Sequence, residues 1–333
     1  MILDRRHVKR LFTAASATLA TFGLFSSSAE AATYHLDFDS ISINGDIQSG
    51  STYFANEARD IDDEWSDWGV NISGINYRGN GQYDTNDPDA TLRLYDTRTR
   101  DGKDSDLETG TDYGTQDHGN ALIIQKHSER DSLNPNDDAN GGEILMDFTH
   151  QSGGAKLVDF QQFTLIDVEL EEDGNKGINV FGYNDQGDKI LDIDVDALVS
   201  GFYDKYSGQY NSGNIGKNNK KEDGVSYDLA AGLEPSFSLD GVTLYQEGQQ
   251  LGNNTVFRFE IDESNVTAQG LSQVKFQYAD VSGAISGVKW SDVDPDSPDS
   301  PESVPESSML VGLFMLGAFG IYKQRLRKVV LAK

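Results

Sequence analysis

The sequence predicts an all-β fold, an antiparallel β-sandwich over residues 32–290, and three observations lead there. Apolar and polar residues alternate over short segments separated by turn-forming residues, the period-2 pattern of half-buried strands. No long apolar stripe at helical spacing supplies the crossover helices that a parallel sheet requires. The 333 residues include no cysteine, so a core large enough to outweigh chain entropy has to hold the domain in place of disulfides.

Residues 1–31 stand apart from that domain. Arg5, Arg6, Lys9 and Arg10 precede an uncharged run over 11–25 and the small-residue site Ala29-Glu30-Ala31. A basic start, an apolar middle and such a site make a secretory signal peptide, with cleavage expected after Ala31. The chain is therefore expected to be exported.

Strands are expected over 34–38, 70–77, 90–95, 121–126, 143–148, 158–170, 177–183 and 189–195. Further strands follow over 225–229, 241–245, 255–261, 274–279 and 285–290. The segment 158–170 is too long to run undisturbed and should contain a bend or bulge. Asn184-Asp185-Gln186-Gly187 joins two alternating segments as a hairpin turn, because Asn and Gly tolerate positive φ. Residues 200–224, rich in Gly, Asn, Lys and Tyr, break the rhythm and read as a long surface loop. Asp, Ser and Pro alternate through 291–303, which reads as a stiff, extended spacer.

The end of the chain has three parts: the short motif Val304-Pro305-Glu306-Ser307, the charge-free apolar run 309–322, and the basic cluster Lys323, Arg325, Arg327 and Lys328. That is the layout of a membrane stop followed by a cytoplasmic anchor. As a helix the run covers about 21 Å against a hydrocarbon core of about 30 Å, which suits a temporary hold. Hydropathy alone describes an ordinary tail anchor equally well.

At these residues the chain resembles the PEP-CTERM sorting signal, which an exosortase-type processing enzyme recognises in bacteria that build exopolysaccharide. Ser307 stands where the motif has its second proline, and residues 329–333 continue past the usual stop. The resemblance implies a transient inner-membrane intermediate, then the cell surface or extracellular matrix of a Gram-negative-type bacterium. Domain segments also look like the exported domains of that group. They include Trp68-Gly69-Val70, Leu94-Tyr95-Asp96, the run from Gly119 to Gln125, and the run from Asn136 to Gly142. Val274-Lys275-Phe276 with Ser282-Gly283-Ala284-Ile285 looks like the closing strand pair of a jelly roll. This resemblance implies a jelly-roll sandwich of carbohydrate-binding type and no established reaction.

Acidic residues number 55 against 27 basic ones, for a net charge of −28, and the basic ends leave the middle more acidic still. Such a field repels nucleic acid and anionic lipid and attracts divalent cations. Three loops concentrate the carboxylates: Asp96, Asp101, Asp104 and Asp106; then Asp137 and Asp138; then Asp167 and Glu169. If these loops meet at one end of the sandwich they form a structural Ca²⁺ site, although their spacing is not that of an EF-hand. The alternative is a set of solvated acidic loops.

Tyr203, Tyr206 and Tyr210, with Lys217, Lys220 and Lys221 nearby, are candidates for stacking on sugar rings and meeting acidic glycans. The competing reading folds these aromatics down as a cap on the sandwich. His7, His35, His118, His127 and His150 fall in no metal-ligand spacing, and the chain has neither a nucleophile elbow nor a phosphate-binding loop. The favoured reading is a non-enzymatic, exopolysaccharide-binding envelope or matrix protein; the alternative is a secreted polysaccharide-degrading enzyme using a carboxylate pair.

Overall fold

Alternation becomes geometry in the strand Gln273–Ala279, where Val274, Phe276 and Tyr278 turn inward and Lys275 and Gln277 turn outward. The computed structural model describes residues 31–48, 61, 63–78, 82–84, 91–98, 106–111, 115–126, 135–168, 177–206, 235–247, 254–262 and 269–293, all within the unit Ala31–Ser300. The signal peptide, the sorting motif, the apolar run, the basic cluster and the strand expected over 225–229 lie outside the described residues.

In chain order the strands are β1 (Thr33–Leu36), β2 (Ile41–Ile43), β3 (Asp46–Ile47), β4 (Val70–Arg78), β5 (Gln82–Tyr83), β6 (Leu92–Asp96), β7 (Asn120–Ile124), β8 (Gly141–Phe148) and β9 (Val158–Ile166). They continue as β10 (Gly177–Tyr183), β11 (Lys189–Asp194), β12 (Ser236–Leu239), β13 (Val242–Glu247), β14 (Val256–Ile261), β15 (Gln269–Leu271), β16 (Gln273–Ala279) and β17 (Ala284–Asp292). The larger sheet runs β12-β13-β14-β9-β17-β1-β2-β3, with β15 added on β9 and the β6–β7 ribbon attached through β7 to β17. The smaller sheet runs β11-β10-β16-β8-β4-β5. Every pairing among the described strands is antiparallel.

Aromatic rings join the two sheets. Phe163 of β9 stacks on Phe259 of β14 at 4.6 Å within the larger sheet and meets Phe276 of β16, in the smaller sheet, edge-on at 5.5 Å. Phe148 of β8 lies 5.3 Å from Trp290 of β17. All five are buried in one core cluster. Each such ring contact contributes roughly 0.5–1.5 kcal/mol beyond the area it buries. A second, smaller cluster forms where the β6–β7 ribbon is covered on its other face: Tyr95, Ala121 and Ile123 pack with Leu107, Ile166, Val256 and Ala284. That double coverage explains why β7 is a continuous apolar run instead of an alternating one.

Within the described residues the expected strands recur with small shifts at their ends, and Ser291 and Asp292, expected in the spacer, extend β17. The expected irregularity in the long strand is present. The β9–β17 register skips Gln161 on β9 and Ser286 on β17. The β10–β11 turn also forms as expected. The Asn184 side-chain oxygen accepts from the N–H groups of Gln186 at 3.0 Å and Asp188 at 2.8 Å, and Gly187 takes a φ of 82°.

One expectation fails. Residues 200–206, read as the start of a surface loop, complete the helix α1, Val195–Tyr206. Asp194 caps its start by accepting from the Ala197 N–H at 2.9 Å. Val195, Leu198, Val199 and Phe202 form a stripe at helical spacing and are buried. Gly201 lets the helix approach β12, since a Cβ there would stand 2.4 Å from the Phe237 ring. Among the described residues no helix is long and apolar enough to cross a membrane.

Candidate functional site

The acidic loops are not three equivalent ligand sets. Asp96, at the end of β6, has its cation in its own loop: its Oδ1 accepts from the Arg98 N–H at 3.0 Å and from Arg98 Nε at 2.7 Å. Asp39 at 3.6 Å and Asp117 at 4.0 Å complete a ring of carboxylates around that guanidinium. The bond from Asp96 holds the Arg98 pKa above its ordinary value. Asp138 is buried and closes the turn into β8, accepting from the Asn140 N–H and side-chain amide, both at 3.0 Å. Asp106 is half-buried.

Asp137 and Asp167 do converge, on the turn between β16 and β17. Asp137 Oδ2 accepts from the Gly283 N–H at 3.0 Å, and the Asp167 carbonyl lies 3.1 Å from where a Cβ on Gly283 would stand. Asp101, Asp104 and Glu169 lie outside the described residues. Among the described residues no three Asp, Glu or His side chains come together as a metal-binding group.

The tyrosines expected to meet sugar occupy the seam between α1 and β12. Tyr206 leans against Phe202, their rings tilted at 44° with centres 4.7 Å apart, and its hydroxyl bonds the Ser236 N–H and carbonyl, each at 3.1 Å. Tyr203 packs edge-on against Phe202 and Phe257. Their rings act as the cap of the competing reading, and Tyr210 lies outside the described residues.

The arrangement that sequence reasoning missed is on the outer face of the smaller sheet. Register places Asn179, Gln277, Glu143 and Ile75 in one row across β10, β16, β8 and β4, with Phe181, Lys275, Leu145 and Ser73 in the next. A third row carries Tyr183, Gln273, Asp147 and Asn71. Tyr77 and Tyr83, paired across β4 and β5, close one end in an edge-to-face contact at 5.3 Å.

Glu143 organises this face. It is only 2% exposed although it points away from the core. Its Oε1 accepts from the Tyr77 hydroxyl at 2.6 Å, Lys275 Nζ at 2.9 Å, Gln277 Nε2 at 3.1 Å and the Tyr83 hydroxyl at 3.2 Å. Gln277 Nε2 also donates to the Tyr77 oxygen at 2.7 Å, and Gln273 Nε2 donates to Asp147 Oδ1 at 2.6 Å.

Burial, reinforced by the bond to Glu143, pushes the Tyr77 hydroxyl well above the ordinary phenol range. Burial and the Glu143 charge also raise Tyr83. Burial alone would lower Lys275, but the bond and charge of Glu143 outweigh it and hold the ammonium above its usual pKa. At neutral pH the two phenols are thus neutral and Lys275 is an ammonium. Lys275 Nζ also lies 5.2 Å from the Phe181 ring centre and 5.8 Å from that of Tyr183, which fixes both rings by cation–π attraction.

What results is a pleated platform with half-exposed rings at Phe181 and Tyr183, an exposed one at Tyr83 (51%), and amides and carboxylates between them held by their own hydrogen bonds. Rings offer apolar faces to the C–H side of a pyranose, and oriented amides and carboxylates meet hydroxyls. Because each group sits on a strand, the spacing is set by the sheet and not by a loop. No family model, no curated protein and no solved structure matches the chain.

Proposed function

We propose that this is an exported, non-enzymatic surface or matrix protein that binds exopolysaccharide on the outer face of its smaller sheet. The observation that carries the reading is Glu143, nearly sealed on the solvent side of a sheet by two tyrosines, a lysine and a glutamine. Polar networks cost stability unless fully satisfied, so one built on an outward face suits recognition better than folding. The finer fold is a jelly-roll type, since the chain passes from the smaller to the larger sheet at β8 to β9 and again at β16 to β17.

Export through the signal peptide, sorting by the PEP-CTERM-like tail, and processing by an exosortase-type enzyme complete the proposal. Ca²⁺ is a structural ligand of the acidic loops in this reading, supported by the net charge of −28 and by the convergence of Asp137 and Asp167 on one turn.

Retention of the purified chain on immobilised exopolysaccharides tests the reading. Replacing Tyr83 and Tyr183 together by alanine should weaken retention at least tenfold while the melting temperature stays within a few degrees, as expected for stacking worth about 1.4 kcal/mol or more. Unchanged retention removes the platform, and glycan turnover moves the protein to the enzyme class. A melting temperature indifferent to EDTA removes the calcium.

A further inference from the structure

Lys156, just before β9, and Asp292, at the end of β17, meet in a site sealed from water. Nζ lies 2.6 Å from Asp292 Oδ1, and the two side chains are 5% and 1% exposed. Oδ1 gains no properly angled hydrogen bond from this approach. Among the described residues the Tyr34 hydroxyl donates to Asp292 Oδ2 at 3.4 Å and lies 3.4 Å from Nζ. Tyr34 stacks flat on Trp290 at 5.3 Å, Phe148 leans on Trp290, and Nζ sits 4.6 Å above the Tyr34 ring. An amine and a carboxylate are therefore held at contact distance inside an aromatic box that, among the described residues, gives them few donors and acceptors to solvate their charges.

We propose that Lys156 and Asp292 condense to an intramolecular isopeptide bond. Proton transfer from Nζ to Oδ1 converts the ion pair into an amine with a free lone pair and a carboxylic acid. The Nζ lone pair attacks Cγ, and the Tyr34 hydroxyl stabilises the charge gathering on Oδ2. The Cγ–Oδ1 bond breaks, and Oδ1 takes the second amine proton and leaves as water. The ammonium and carboxylate become one secondary amide and one water, with no oxidant or co-reactant. Holding the two groups together in the fold supplies the proximity that an uncatalysed condensation lacks, and exchanging two buried charges for one amide drives it.

The bond would fasten the end of β17. Asp292 is the last residue of that strand, and its N–H bonds the Ala32 carbonyl. In a chain without cysteine it would close a long loop, as a disulfide does, but would resist reduction.

Peptide mass analysis of the purified full chain after denaturation and trypsin decides it. The bond abolishes cleavage after Lys156 and joins that peptide to the one beginning at Trp290, with a mass one water below the sum. Lys156→Arg should give two separate peptides and a lower melting temperature. Asp292→Asn should still give the joined peptide, now with ammonia as the leaving group. Separate peptides from the folded wild-type chain overturn the proposal, and that measurement stands even if the variants fail to fold.

Discussion

Glu143 and Asp292 are both carboxylates almost wholly removed from solvent, at 2% and 1% side-chain exposure, and each faces a lysine. Their surroundings differ. Glu143 receives two phenols, an amide and an ammonium, so its charge is compensated even without the lysine. Asp292 has one ammonium at contact distance and one long bond from Tyr34. The first site is equipped to keep a charge in place on an outward face, and the second to be rid of one inside the core. Equal burial therefore does not imply equal roles; the number of donors decides.

The largest effect that tests this contrast comes from removing each lysine. Lys156→Met leaves Asp292 buried as a carboxylate with neither a compensating cation nor an amine to condense with, and should cost at least about 3–5 kcal/mol, the usual result of leaving one member of a buried pair alone. Lys275→Met leaves three donors on Glu143 and should cost only about 1–2 kcal/mol. Urea unfolding of both variants measures the difference, and equal costs would mean that the donors around Glu143 are not what stabilises it.

A smaller effect tests those donors directly. Tyr77→Phe deletes the 2.6 Å bond to Glu143 and the acceptor for Gln277 while keeping the ring. Hydrogen bonds to charged groups contribute about 1.5–3 kcal/mol, so a loss at the low end is expected, with Lys275, Gln277 and Tyr83 still in place. Glycan retention should fall with it, because Glu143 and Gln277 lose the hydroxyl that helps hold them in place on the face. A stable variant with unchanged retention would separate the network from the binding face.

How much of this was legible in the sequence depends on how far apart the partners lie. β16 and the Asn184 turn declare themselves locally, through alternation and through one residue bonding its near neighbours. α1 is harder to see, because Val195 also ends an alternating segment and Ser200 and Gly201 look like loop residues; Asp194 as a cap and the stripe at 195, 198, 199 and 202 are its signal. Arg98, two residues from Asp96, was equally visible as the cation that answers a carboxylate. Glu143 was not. Between Gly142 and Ile144 it reads as an ordinary outward residue, and the donors that bury it come from positions 60 to 134 residues away in sequence. Only the strand order 10-16-8-4-5 brings them together.

A third carboxylate extends the comparison to a site where only backbone answers the charge. Asp196, in the first turn of α1, is half-buried over Gly177 and accepts from the Ile178 N–H at 3.3 Å. Burial pushes its pKa up from 3.8 to about 6, and the like charge of Asp194 adds to the rise against that one hydrogen bond. Because the folded state holds the proton more tightly than the unfolded chain, this group's stabilising contribution is complete below 3.8 and is lost as pH rises through about 6. Asp292 and Glu143, by contrast, each face a lysine. Asp196→Asn keeps the size of the side chain and removes the titration, so the urea midpoint of the variant should lose this pH-linked decline between about pH 4 and about pH 7, while the parent keeps it. Parallel curves for the two proteins would mean that Asp196 is as well compensated as Glu143.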